Sequence, residues 1–148
     1  MVEKKTKTAA KKTAKTTVKT TAKKTTRRRA QEEALVETMV QCMQEKKGQR
    51  IVSLDLRKVS GASFDFFVIC EVDSAPQARA IADEIDDKVY AGFGEDPLHT
   101  EGYANGEWVL LDYGNVLAHI FNKETRQHYR LEDLWGDAGL RVFEEEEN

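Results

Sequence analysis

At 148 residues, with two prolines and nine glycines, the chain has room for one domain and a tail but hardly for two domains. Its two cysteines, Cys42 and Cys70, supply neither a disulfide framework nor a zinc quartet, so free thiols in a reducing, cytoplasmic setting are expected. No apolar run is long enough to cross a bilayer, nothing near Met1 resembles a signal-peptide core, and a membrane role is not expected.

The net charge of −3 hides an asymmetry. Of the 23 Lys and Arg, 12 lie in Met1–Arg29 with a single acid, leaving 11 basic against 25 acidic residues in Ala30–Asn148. The first stretch is low-complexity Lys, Thr and Ala with almost nothing to bury, so residues 1–29 are expected to form a tail that is disordered when free. Two readings of it stand side by side. Lys4 to Arg29 can be a flexible arm that condenses on nucleic-acid phosphate, such as ribosomal RNA, without reading sequence. It can equally be a solvated extension, or lie over its own acidic body. An organellar transit peptide fits less well, because Lys outnumbers Arg and no amphipathic apolar face is present.

The globular part, residues 30–143, opens with a helix expected over Gln31–Lys47, where Leu35, Val36, Met39, Val40 and Met43 form one stripe and Gly48 ends it. Arg50–Arg57 alternates as a strand. Phe64–Val72, rich in β-formers, reads as a central strand after the turn at Ser60-Gly61. Ser74, Pro76 and Gln77 compose a capping box for a helix that buries Ala78, Ile81, Ala82, Ile85 and Val89 and stops at Gly92 and Gly94. Pro97–Tyr103 is the next strand, and Asn105-Gly106 signals a hairpin.

The most legible stretch runs from Glu107 to Trp135. Gly114-Asn115 between two alternating runs fits a two-residue turn, with Gly supplying the positive φ. That turn pairs Tyr113 with Val116, Leu111 with Ala118 and Val109 with Ile120 as one apolar side, and leaves Trp108, Leu110, Asp112, Leu117, His119 and Phe121 on the other. Asn122 caps a short helix over Lys123–Tyr129, Leu131–Trp135 folds back as an apolar clasp, and residues 144–148 form a solvated acidic end. The helix after Phe64–Val72 then links it to Pro97–Tyr103 as a crossover between parallel strands. An α/β fold is expected: two layers, a mixed five-stranded sheet and helices mainly on one face. With only two long helices, the other sheet face is expected to be largely uncovered and to mark an interaction site.

Catalytic signals are weak. His119 stands diagonal to Asp112 across the hairpin, within hydrogen-bond reach, but no Ser or Cys nucleophile joins them. His99 and His128 have no ligand-like spacing with Cys42 or Cys70, so no metal is expected, and no glycine pattern for a dinucleotide or phosphate loop is present.

The segments DFFVICEVDSAPQARAIADEI and EGYANGEWVLLDYGNVLAHIFNKETRQHYRLEDLWGDA resemble the Iojap-like ribosomal silencing factor family, over about Ala30 to Ala138. The resemblance implies a non-enzymatic translational repressor. Such a protein binds the large ribosomal subunit through its universal protein fourteen and sterically blocks the small subunit from joining, typically when nutrients run short. It also points to the partner site: Trp108, Leu110 and Asp112, with Glu101, His119 and Phe121 as neighbours, the apolar pair supplying buried area and the acids meeting Lys or Arg. The alternative is that Trp108 is a covered core residue and Asp112 a strand-end hydrogen-bonder. The family's fold resembles that of nucleotidyltransferases, which hold two metals on an Asp-x-Asp pair. Here Asp65 is present but the second position is Phe67, and Asp112 would be at most a remnant third ligand. The basic tail lies outside the family pattern, and the open face could also support a homodimer.

Overall fold

The computed structural model describes residues 18–143, with side chains from residue 27 onward. The expected acidic end and the first part of the expected tail lie outside the described residues. The elements in order are α1 (Val18–Glu45), β1 (Gln49–Asp55), β2 (Phe66–Val72), α2 (Ala75–Phe93), β3 (His99–Glu101), β4 (Trp108–Asp112), β5 (Val116–Asn122), α3 (Lys123–Tyr129), α4 (Leu131–Leu134) and β6 (Gly139–Val142).

Helix α1 begins 13 residues before the expected start at Gln31 and runs for 28 residues. Its packed half, from Glu32 to Met43, nucleates the helix. Extension backwards through Arg, Lys, Ala and Thr then costs little, because no Gly or Pro interrupts it. Over Val18–Arg29 the expected tail has helical backbone continuous with the rest of α1. The cap of α2 forms much as its sequence promises: the Ser74 hydroxyl accepts from the Gln77 N–H at 3.2 Å, and Gly94, at φ 69°, closes the other end. The Gln77 carboxamide reaches back to the Asp73 N–H at 3.1 Å, one residue earlier than in an ideal box.

The sheet is mixed and has six strands, not five, in the order β3-β4-β5-β2-β1-β6. The added strand β6 pairs antiparallel with β1, Leu140 opposite Leu54 and Val142 opposite Val52. The expected crossover between parallel strands forms, but its two strands are not neighbours: β3 runs parallel to β2 with β4 and β5 between them. Helix α2 does lead from β2 to β3, but β3 is a three-residue edge strand paired with β4, and the parallel neighbour of β2 is β5, in a register from Phe66↔Val116 to Val72↔Asn122. The hairpin register is as derived from the turn, with Val109 opposite Ile120 and Leu111 opposite Ala118, and Gly114 has φ 95°. The turn after β3 is longer than Asn105-Gly106 alone: the Gly106 N–H returns to the Gly102 carbonyl at 2.9 Å, and both glycines have positive φ.

Helices α1 and α2 cover one sheet face, where Met39, Met43, Ile81 and Ile85 pack on Val68, Cys70, Leu111 and Ile120. The opposite face is the larger departure from expectation, since most of it is covered. Val52, Leu54, Leu56, Phe67, Ile69, Leu117, Phe121 and Leu131 form a second buried core, roofed by Val59, Phe64, Trp135 and Ala138. Irregular chain between β1 and β2, which has no periodicity that a sequence reading detects, together with the expected clasp at Leu131–Trp135, does what a third long helix would do. Burial on both faces is why β2 reads as a near-continuous apolar run.

Candidate functional site

Alternation along β4 places Trp108, Leu110 and Asp112 on the second-core side, and register sets Phe121, His119 and Leu117 directly opposite them. Glu101 of β3 lies beside Leu110. The six expected site residues therefore share one face, but they do not share one depth. Glu101 is exposed, and Trp108, Leu110 and Asp112 are half-buried. His119 and Phe121 are only 4% and 1% exposed, so direct contact of these two with a partner is corrected: they form the bed on which Trp108 rests.

The indole of Trp108 lies between two rings, with centroids 4.8 Å from Phe121 and 4.7 Å from Tyr129. Tyr129, itself 49% exposed, was not anticipated. The signal was available, because Asn122 caps α3 immediately at the end of β5, its Oδ1 accepting from the Thr125 N–H at 2.8 Å. The helix starts without a linker and lies beside the strand that it leaves, which brings Tyr129 over Trp108.

The expected His119–Asp112 hydrogen bond does not form. Asp112 instead accepts from the Gly114 N–H at 2.7 Å, a local bond that stabilises the turn and is favoured over a longer reach. His119 Nδ1 accepts from the Trp108 Nε1–H at 3.1 Å. Burial alone pulls the imidazole down to a pKa of about 3, so the ring is neutral. Since Nδ1 is an acceptor, the proton sits on Nε2. Nε2 has no hydrogen-bond partner among the described residues. The imidazole stands edge-on to Phe67 at 4.6 Å and 70°, a geometry suited to a weak N–H contact with an aromatic face.

A two-metal centre does not fit the position that nucleotidyltransferase resemblance would assign it. Phe67 is buried in the second core, packed on Trp135 at 6.0 Å. Asp65 lies 3.8 Å from the Arg28 guanidinium and next to Glu32, whose carboxyl is raised above its usual range by burial and by Asp65. Among the described residues no group of three His, Cys, Asp or Glu is placed to hold a metal ion.

Arg126 was also missed, and no spacing in the sequence announces it. Although 6% exposed, it donates to the Arg50 carbonyl at 2.7 Å and pairs with Glu71 at 3.4 Å and with Glu132. This network anchors α3 to β1, β2 and α4 beside a groove of about 910 Å³ lined by Arg50, Val52, Lys123, Arg130, Leu140 and Val142.

The chain is a small mixed α/β domain in which a half-buried tryptophan and leucine stand beside carboxylates, backed by packed aromatic rings. The family described as "Ribosomal silencing factor during starvation" matches residues 27–148, and the chain belongs to that family, which makes it a ribosome-associated regulator of translation. It is 42% identical over 96 residues to the Ribosomal silencing factor RsfS of Halalkalibacterium halodurans and 41% identical to that of Bacillus subtilis, in each case over 65% of this chain and 80% of the relative. The chloroplastic protein Iojap of Arabidopsis thaliana is 36% identical over 49% of this chain and 30% of its own length. Two crystal structures are similar. A Chromobacterium violaceum protein has a TM-score of 0.66 at 31% identity, covering 70% of this chain and 85% of that one. A Bacillus halodurans protein has 0.61 at 36% identity, covering 76% and 98%. Among the described residues no helix is long and apolar enough to cross a membrane.

Proposed function

We propose that this chain represses translation without catalysis by docking on the large ribosomal subunit, through its universal ribosomal protein fourteen, so that the small subunit cannot join. The action is cytoplasmic and belongs to nutrient shortage. Trp108 and Leu110 supply the apolar centre, and Glu101 meets a cation of the partner. Asp112 contributes less, because one of its oxygens is held by the turn. The observation that carries the reading is the placement of Trp108 and Leu110, half-buried on β4, next to the exposed Glu101. An aromatic anchor with an acidic rim is the composition expected at the centre of an interface with a basic protein. The basic segment from Lys4 to Arg29 would add contact with RNA phosphate that weakens as salt rises.

Co-sedimentation with purified large and small subunits tests this, using the full chain, a version lacking residues 1–17, which leaves α1 whole, and Trp108→Ala. The full and shortened chains are expected to travel with the large subunit alone. Trp108→Ala is expected to lose on the order of 2 kcal/mol of affinity, as for a hot spot. A folded Trp108→Ala that binds as tightly as the unaltered chain refutes the site. Binding of the full chain to both subunits alike, lost on shortening, would make the protein a nonspecific RNA binder.

A further inference from the structure

We propose that His119 is a positioning residue for docking: its Nδ1 fixes the orientation of the Trp108 indole, and so the edge that Trp108 shows to the partner, without itself touching that partner. This rests on the docking reading above.

Stacking alone leaves the indole underdetermined. Phe121 and Tyr129 touch the indole in tilted contacts, 32° and 47° between planes, which supply apolar area but no directional bond to the Nε1–H edge. His119 supplies that bond. The Nε1–H is the single donor of the indole, and a half-buried donor left without an acceptor costs more than a made bond returns. The contact with His119 Nδ1 at 3.1 Å therefore fixes the direction of that edge.

His119 is in turn well held. Its ring lies parallel to Phe121, 7° between planes at 6.0 Å, and edge-on to Phe67. The strand register fixes its backbone between Leu110 on β4 and Ile69 on β2. No charged side chain faces it across either strand pair, which keeps the ring neutral and Nδ1 free to accept. Protonation of Nδ1 would set donor against donor. The imidazole thus does what a simple apolar ring of the same size cannot: it packs as an aromatic and still presents an acceptor at one defined point.

Two variants separate these duties. His119→Phe keeps the ring volume and removes the acceptor. His119→Asn removes ring volume but places an amide oxygen close to the position of Nδ1. With only two tryptophans in the chain, amide NMR of the labelled protein gives two indole N–H signals, and Trp108→Phe assigns them. In His119→Phe the Trp108 indole signal is expected to shift and exchange faster with water. Affinity for the isolated large subunit is expected to fall about fivefold, the worth of one net hydrogen bond. In His119→Asn the melting temperature is expected to drop, while the indole signal and most of the affinity persist.

The inference is overturned if affinity follows melting temperature across the two variants, or if His119→Phe binds like the unaltered chain. If His119→Phe does not fold, His119→Asn decides alone: affinity retained at reduced stability supports the positioning role, and affinity lost in step with stability removes it. Trp108→Ala in the same series separates the two levels. If Trp108→Ala binds normally, the docking reading itself fails. If it loses binding while folded His119→Phe does not, only the role of His119 fails.

Discussion

Acidification should cost this protein stability through His119 before most carboxylates protonate. In the unfolded chain an imidazole titrates near 6.5, whereas burial holds the folded His119 down to about 3. Between those values the unfolded state binds a proton that the folded state refuses, so stability is complete above about pH 6.5 and declines as the pH falls toward 3. Each pH unit inside the window is worth about 1.4 kcal/mol, and moving from pH 7.5 to 5 should therefore remove about 2 kcal/mol. Urea unfolding at the two pH values, for the unaltered chain and for His119→Phe, measures it. Glu32 acts with the opposite sign, because its raised carboxyl favours the folded state as acid is added. It is common to both proteins and cancels in the difference. The stability of the unaltered chain relative to His119→Phe should fall by about 2 kcal/mol on acidification. A difference that stays constant from pH 7.5 to 5 would show that His119 is not held neutral by its surroundings, and the acceptor assigned to Nδ1 would go with it.

Three other outcomes are expected. Arg126→Ala leaves Glu71, 7% exposed, with the exposed Arg50 at 3.5 Å as an ion-pair partner and should cost about 1–3 kcal/mol in urea unfolding, with Glu71→Gln in the same chain recovering part of it. Gly102→Ala should destabilise the β3–β4 connection, since an added Cβ would lie 2.0 Å from the Trp108 carbonyl oxygen at a φ of +76°; loss of amide-exchange protection confined to β3 and β4 would identify the cause. Burial pushes the thiols of Cys42 and Cys70 up to about 12, so thiol reagents at pH 8 should leave both untouched in the folded protein and react with both in denaturant.

How much of this could be read from the sequence depended on how local the signal was. The hairpin of β4 and β5 was legible to the residue, because a Gly-Asn turn and strict alternation leave one register, and that register put the right side chains on the right face. The cap of α2 was legible for the same reason. Depth was not legible. The covering chain between Leu56 and Asp65 is irregular, and β6 has four residues, all exposed. Neither produces a pattern of period two or 3.6, so the second core went unseen, and His119 and Phe121 were assigned to the surface. The Asp112–His119 pairing failed because a nearer donor, the Gly114 N–H, captured the carboxylate. Lys and Thr in Val18–Arg29 read as disorder by composition, although the propagation of an already nucleated helix obeys a different and cheaper rule.

The covering of the second core also imposes an order of assembly. Tyr129, Leu131 and Trp135 all follow, along the chain, the strands that they cover, and β6 extends the sheet by pairing with β1, the first strand made. A polypeptide emerging from the ribosome can therefore form the hairpin and its register early, but Trp108 has no ring on its outer side until Tyr129 has emerged. The second core beneath that face is not closed until Leu131 and Trp135 have followed. The surface assigned to docking becomes complete only when synthesis of the domain is nearly over, so a nascent or shortened chain would carry Trp108 without the frame that aims it.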